Sequence, residues 1–110
     1  MIPTALITGA TSGLGAEFAR QLAAAGHNLV LVARDTDRLV ERAARLEELY
    51  PVGVEILTAD LLSDEGAAAV ASRLADDERP ITILVNNAGF GLPGWFTGNA
   101  LGDERDQLRI

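Results

Sequence analysis

A length of 110 residues, with 48% hydrophobic and 23% charged side chains, suits one globular domain built around one core. A formal charge of −7 argues against nucleic acid or an anionic membrane as the main partner, and no apolar run approaches the ~20 residues needed to span a bilayer. Cysteine is absent, which removes disulfides, thiolate metal sites and thiol nucleophiles and fits a reducing, cytoplasmic setting.

Met1–Ile2–Pro3 leads almost at once into an apolar run, which leaves no room for a signal peptide. Short apolar runs then alternate with longer amphipathic segments. Ala5–Thr8 is the first run, Leu29–Ala33 the second, Val54–Leu57 the third and Ile81–Val85 the fourth. The first, second and fourth are nearly continuous in branched and apolar residues, as strands covered on both faces of a parallel sheet are. Between the first two, Leu14, Phe18, Leu22 and Ala25 predict one inner helical face, and Gly26 is placed to end that helix. A second helix is expected over 36–50, with Leu39, Ala43, Leu46 and Tyr50 inward and a Glu41–Arg45 pair outside. A third starts at Ser63 as N-cap and runs through Ala67, Val70, Ala71 and Leu74, followed by a solvated turn over 76–80. This alternation predicts right-handed βαβ crossovers and an α/β, Rossmann-type doubly wound parallel sheet of order 3-2-1-4. Its ligand crevice belongs at the carboxyl ends of strands 1 and 4.

The chemistry is concentrated in the turn Thr8–Gly9–Ala10–Thr11–Ser12–Gly13–Leu14–Gly15. It follows a strand and opens a helix, where glycines let the backbone turn tightly and approach a pyrophosphate. The helix N-terminus adds unpaired N–H donors, and Thr11 and Ser12 add hydroxyls. His27 has no second histidine beside it, so no metal site is expected. Trp95 and Phe96 either line a substrate side or pack under a loop.

The Gly-x-x-x-Gly-x-Gly spacing, with Thr8 before it, resembles the short-chain dehydrogenase/reductase family. Asn86–Asn87–Ala88–Gly89 after the fourth strand and Asp60–Leu61 after the third strengthen the resemblance. It covers the chain from Thr4 to Gly89, and more loosely to Ile110. The family likeness implies an NAD(P)-binding Rossmann domain over 1–110, the N-terminal part of a longer domain, that acts on a small carbonyl or alcohol substrate and forms homo-oligomers when complete. Residues implied at the cofactor are Gly9, Thr11, Ser12, Gly13, Leu14 and Gly15 of the loop, then Arg34, Asp60 and Leu61, and Asn87, Ala88 and Gly89. Structural readings stand beside these: Asp60 as a cap of the third helix, and Asn86–Asn87 as a turn that satisfies strand-end groups.

The end of strand 2 selects the cofactor. An acid there accepts from the ribose 2′-hydroxyl of NAD, whereas an arginine accommodates a 2′-phosphate. Val32–Ala33–Arg34–Asp35 puts an uncharged alanine where the family's NAD-selecting acid aligns, and an arginine next. The expectation is NADP rather than NAD. Asp35 is the rival ribose ligand, and its competing role is an N-cap of the second helix. Arg34 could instead pair with surface carboxylates near Asp37.

All nine basic residues are arginines, and Tyr50 is the lone tyrosine. The family's catalytic Tyr-x-x-x-Lys pair is therefore not among these residues, and no catalytic residue is assigned. Asp103–Ile110 reads as a helix cut before its cap. The first expectation is the cofactor-binding half of an NADP(H)-dependent oxidoreductase. The alternatives are a non-catalytic dinucleotide sensor on the same scaffold, or another Rossmann-like chemistry that uses the same loop.

Overall fold

The computed structural model describes residues 2–87; Ala88, Gly89, Trp95, Phe96 and the segment 103–110 lie outside them. Strands β1 (Thr4–Thr8), β2 (Asn28–Ala33), β3 (Val54–Thr58) and β4 (Ile83–Asn86) alternate with helices α1 (Gly13–Ala24), α2 (Thr36–Leu49) and α3 (Asp64–Leu74). All pairings are parallel, in the order β3-β2-β1-β4, so the Rossmann-type arrangement holds. Thr8 lies opposite Val32 on one side and Asn86 on the other, and Val32 lies opposite Leu57. The strands thus end almost level, and all four following turns meet along one edge.

Continuous apolar strands make sense because both faces are covered. Ala5, Ile7, Leu29, Leu31 and Val85 pack on one face against Ala19, Ala23, Leu39 and Leu46 of α1 and α2. Leu6, Val30, Val32 and Leu84 pack on the other against Val70 of α3. Strand period two sends alternate residues to opposite layers. β3, with one strand neighbour among the described residues, is only half-buried.

Two expectations need correction. The buried stripe of α1 is Gly15, Ala19 and Ala23, with Phe18 and Leu22 packed at its margin. Leu14 is 61% exposed, and Ala25 is the exposed C-cap. Small residues win that face because they let the helix backbone lie close to the sheet. The Glu41–Arg45 pair is not formed among the described residues. Instead Arg20 and Gln21 of α1 donate to Glu17, which holds its carboxyl down at about 2. The Glu17–Arg20 pair is about half exposed at the surface and contributes little to stability.

Gly26 ends α1 as anticipated, at φ 93°. Its N–H donates to the Ala23 carbonyl at 2.9 Å, and the His27 N–H donates to the Leu22 carbonyl at 3.0 Å, the paired bonds of a Schellman motif. A Cβ at Gly26 would meet nothing within 4 Å, so only the left-handed backbone opposes a side chain. Gly26→Ala is expected to lower unfolding free energy by about 1 kcal/mol and to leave cofactor affinity unchanged. Urea unfolding beside a ligand titration checks both.

The turn over 76–80 is solvated as expected, but a buried charge lies beside it. Arg73 of α3 is buried, and its guanidinium donates to both carboxylate oxygens of Glu55 at 2.9 and 3.2 Å and to the Arg79 carbonyl at 2.7 Å. Arg79 itself reaches Glu55 and Asp76. A bidentate, hydrogen-bonded pair is what allows a charge to be buried there. The cluster ties α3 to β3 at the end opposite the crevice.

Candidate dinucleotide-binding site

Beyond the last ladder residues the backbone continues to pair. The Ala10 N–H donates to the Val32 carbonyl at 3.1 Å, and the Ala59 N–H to the Ala33 carbonyl at 2.9 Å. The turns after β1, β2 and β3 are therefore held side by side, and Asn87 closes the row after β4. Between them lies a crevice of about 750 Å³. Among the expected residues it brings together Gly9, Thr11, Ser12, Arg34, Asp60, Leu61 and Asn87. Gly13 opens instead onto a groove between α1 and α2, Leu14 projects from the surface, and Gly15 is buried behind the loop. Val32, Ala33, Asp35, Arg38, Ala59 and Leu62 complete the crevice wall; of these, Ala33 and Asp35 were marked in the sequence as the cofactor-selecting end of strand 2, and the other four were not.

The glycine loop is held by a closed set of bonds. Gly9 sits at φ 63°, in the left-handed region open to glycine. Its carbonyl accepts from the Ser12 N–H at 3.1 Å, the Ser12 hydroxyl at 2.8 Å and Asn87 Nδ2 at 3.2 Å. Ser12 Oγ also caps α1 by accepting from the Gly15 N–H at 3.2 Å, and accepts again from Asn87 Nδ2 at 2.9 Å. One donor and two acceptors use the full capacity of a hydroxyl. Ser12 thus holds the loop, while the Thr11 hydroxyl has no partner among the described residues. A Cβ on Gly15 would lie 2.1 Å from the Gly9 carbonyl oxygen, so only glycine allows the helix to start this close to the turn. The N–H groups of Gly13 and Leu14 in the first turn are left for a ligand or solvent.

The turn after β3 repeats this plan. Ser63 donates from its N–H at 3.0 Å and its hydroxyl at 2.8 Å to the Asp60 carbonyl, and its Oγ caps α3 by accepting from the Gly66 N–H at 2.9 Å. A Cβ on Gly66 would lie 1.9 Å from the Asp60 carbonyl oxygen. Gly9–Ser12–Gly15 and Asp60–Ser63–Gly66 thus share one spacing and one hydrogen-bond pattern. The Asp60 carboxylate accepts from the Leu62 N–H at 2.9 Å through Oδ1, an Asx turn that fixes its direction at the crevice. The fourth turn is braced by Asn86, whose Oδ1 accepts from the buried Thr8 hydroxyl at 3.0 Å.

At the end of β2, Asp35 is the N-cap of α2, its Oδ1 accepting from the Arg38 N–H at 3.2 Å. Ala33 offers no charge. Arg34 is exposed on the crevice wall, and its guanidinium forms no hydrogen bond or ion pair among the described residues. The surface pairing considered for it is not made. No cluster of His, Cys, Asp and Glu among the described residues is arranged to hold a metal, and no described helix is long and apolar enough to cross a membrane.

The arrangement can cradle an anion at the α1 turn and a second anion at Arg34, with an apolar strip between them. Known proteins resemble the chain in sequence and in fold. The family model for short chain dehydrogenase matches residues 3–106. A very-long-chain 3-oxoacyl-CoA reductase from Meyerozyma guilliermondii is 44% identical over 87 residues, covering 77% of this chain and 25% of that protein. The structure of a short-chain dehydrogenase from Sphingobium yanoikuyae in complex with NADPH is 54% identical with a TM-score of 0.76, over 82% of this chain and 35% of that one. The bulky-bulky ketone specific alcohol dehydrogenase from Comamonas testosteroni is 49% identical with a TM-score of 0.75, over 84% of this chain and 38% of that one. The chain therefore spans about a quarter to two fifths of the length of these relatives. By sequence and by fold, it belongs to the short chain dehydrogenase family.

Proposed function

We propose that this chain forms the cofactor-binding part of an NADP(H)-dependent oxidoreductase that acts on a carbonyl or alcohol substrate. The observation that carries the cofactor choice is Arg34: a guanidinium without a partner among the described residues, on the crevice wall, at the end of β2. Ala33 beside it supplies no carboxylate, and Asp35 is engaged as a helix cap. The NADPH complex of the Sphingobium relative supports the same reading.

The residues present fit the group. Gly15 admits the close approach of α1 to its turn, and the free amides of Gly13 and Leu14 with the Thr11 hydroxyl would hold the pyrophosphate. Arg34 would hold the 2′-phosphate through a planar fork suited to it. Asp60 and Leu61 would border the adenine, and Asn87 would keep the loop in shape from the β4 side. Bound NADP(H) supplies or accepts the hydride. This chain has no lysine, so a Tyr-x-x-x-Lys pair would come from sequence other than these 110 residues.

The intact protein that carries this chain is expected to bind NADPH at least tenfold more tightly than NADH, the difference of about 1.4 kcal/mol or more that a charge-assisted contact provides. Fluorescence titration of both reduced cofactors measures the ratio. Equal affinities would remove the assignment of Arg34.

A further inference from the structure

Arg34 does not face the crevice alone. Arg38 lines the same wall, is exposed, and its guanidinium has no hydrogen bond or ion pair among the described residues. Its position is unfavourable for the helix. With Asp35 as N-cap, Arg38 is the third residue of α2, in the first turn, where the helix dipole favours acids and disfavours cations. Asp37 and Glu41 on the same helix do not pair with it. The local charge balance is more telling. Asp35 lines the same crevice and Asp37 follows it in the chain, so with Arg34 as the sole cation the segment 34–38 would carry excess negative charge. A phosphate dianion would meet net repulsion there. Arg38 brings the segment to neutrality, with two guanidinium groups on the crevice wall.

We infer that Arg38 is a specificity-determining residue for the 2′-phosphate, forming with Arg34 a two-arginine clamp reached from the end of β2 and the first turn of α2. The inference rests on the NADP(H) reading of Arg34 and extends it. A terminal phosphate has enough oxygens for two forks, whereas a ribose hydroxyl gives a second guanidinium nothing to neutralise. Arg38 should therefore act on phosphorylated ligands alone.

The test is calorimetric titration of the intact protein and its Arg38→Ala and Arg38→Lys variants with NADPH, NADH, 2′,5′-ADP and 5′-ADP. Arg38→Ala is expected to weaken NADPH and 2′,5′-ADP by about tenfold and to leave NADH and 5′-ADP within about twofold. Arg38→Lys should recover part of the loss. The melting temperature should stay level or rise, since an exposed cation leaves the dipole's positive end. Equal weakening of all four ligands would mean that Arg38 merely shapes the turn, and unchanged affinity for both phosphorylated ligands would mean that it does not reach them; either overturns the inference. Parent protein that favours NADPH beside an unaffected Arg38→Ala variant sinks only the role of Arg38. Parent protein that binds NADPH and NADH alike removes the NADP(H) reading and this inference with it.

Discussion

Gly15→Ala is expected to weaken NADPH binding by at least tenfold and to destabilise the intact protein by about 2–3 kcal/mol, near the upper end of what overpacking costs. The added Cβ would stand 2.1 Å from the Gly9 carbonyl oxygen, 2.9 Å from its carbon and 2.7 Å from Asn87 Nδ2, all short of the 3.4 Å at which ordinary contact begins. Two of those atoms are backbone and cannot rotate away. The Gly9 carbonyl is also the acceptor for Ser12 and Asn87. Moving it to relieve the clash breaks the bonds that shape the loop and frees the α1 cap. Affinity and stability should therefore fall together. Gly13→Ala is the control for the fold, because a Cβ there meets nothing within 4 Å and should leave the urea midpoint in place. A Gly15→Ala protein that binds NADPH as its parent does would show that the close approach of α1 is dispensable.

The parts of the fold legible in the sequence are those in which one local force dominates. Glycine spacing after β1 announced a tight strand–helix turn because left-handed backbone and close approach exclude other residues there. Ser63 and Gly26 announced the ends of α3 and α1 because orphan backbone groups have few local solutions, and Asp35 proved to be a cap for the same reason. Continuous apolar runs announced a parallel sheet because both of its faces are covered, and the strand–helix alternation supplied its order. The inner face of α1 was misread for a physical cause: hydropathy weights Leu14 heavily and Gly15, Ala19 and Ala23 hardly at all, although close packing selects the small residues. Arg73 was not legible either. A charge reads as solvated, and its burial depends on Glu55, a partner that only the folding of α3 against β3 supplies.

Within the site the division is similar. Residues of the crevice that follow strands directly were found from motif spacing, because parallel strands of equal register deliver their following turns to one edge. The likeness between Gly9–Ser12–Gly15 and Asp60–Ser63–Gly66 was present in the spacing from the start, but its meaning rests on hydrogen bonds that spacing does not display. Arg38 was hidden for a related reason. In the sequence it is a charge in a polar stretch, and only the N-cap at Asp35 turns the start of α2 toward the crevice occupied by Arg34.

Arg34→Asp is expected to invert the cofactor preference of the intact protein. Loss of the charge-assisted contact with the 2′-phosphate costs about 1.5–3 kcal/mol, or roughly ten- to a hundredfold in NADPH affinity. The new carboxylate adds to Asp35 and Asp37, so the segment repels a phosphate dianion at any pH where these acids are ionised. The same carboxylate can accept from the 2′-hydroxyl of NADH, which the parent's Ala33–Arg34 pair cannot do. Both effects move the NADPH to NADH ratio in one direction, and NADH affinity itself should hold or improve. Salt gives an independent check. Exposed charges are screened over about 8 Å at physiological ionic strength, so the parent's preference for NADPH should narrow as salt rises. The reversed preference of the variant should narrow as well, because its repulsion is screened in the same way. Titrations of both cofactors at low and high salt measure all four ratios. A ratio untouched by the substitution would mean that Arg34 never meets the 2′-phosphate, and that the crevice selects its ligand at some other point along its wall.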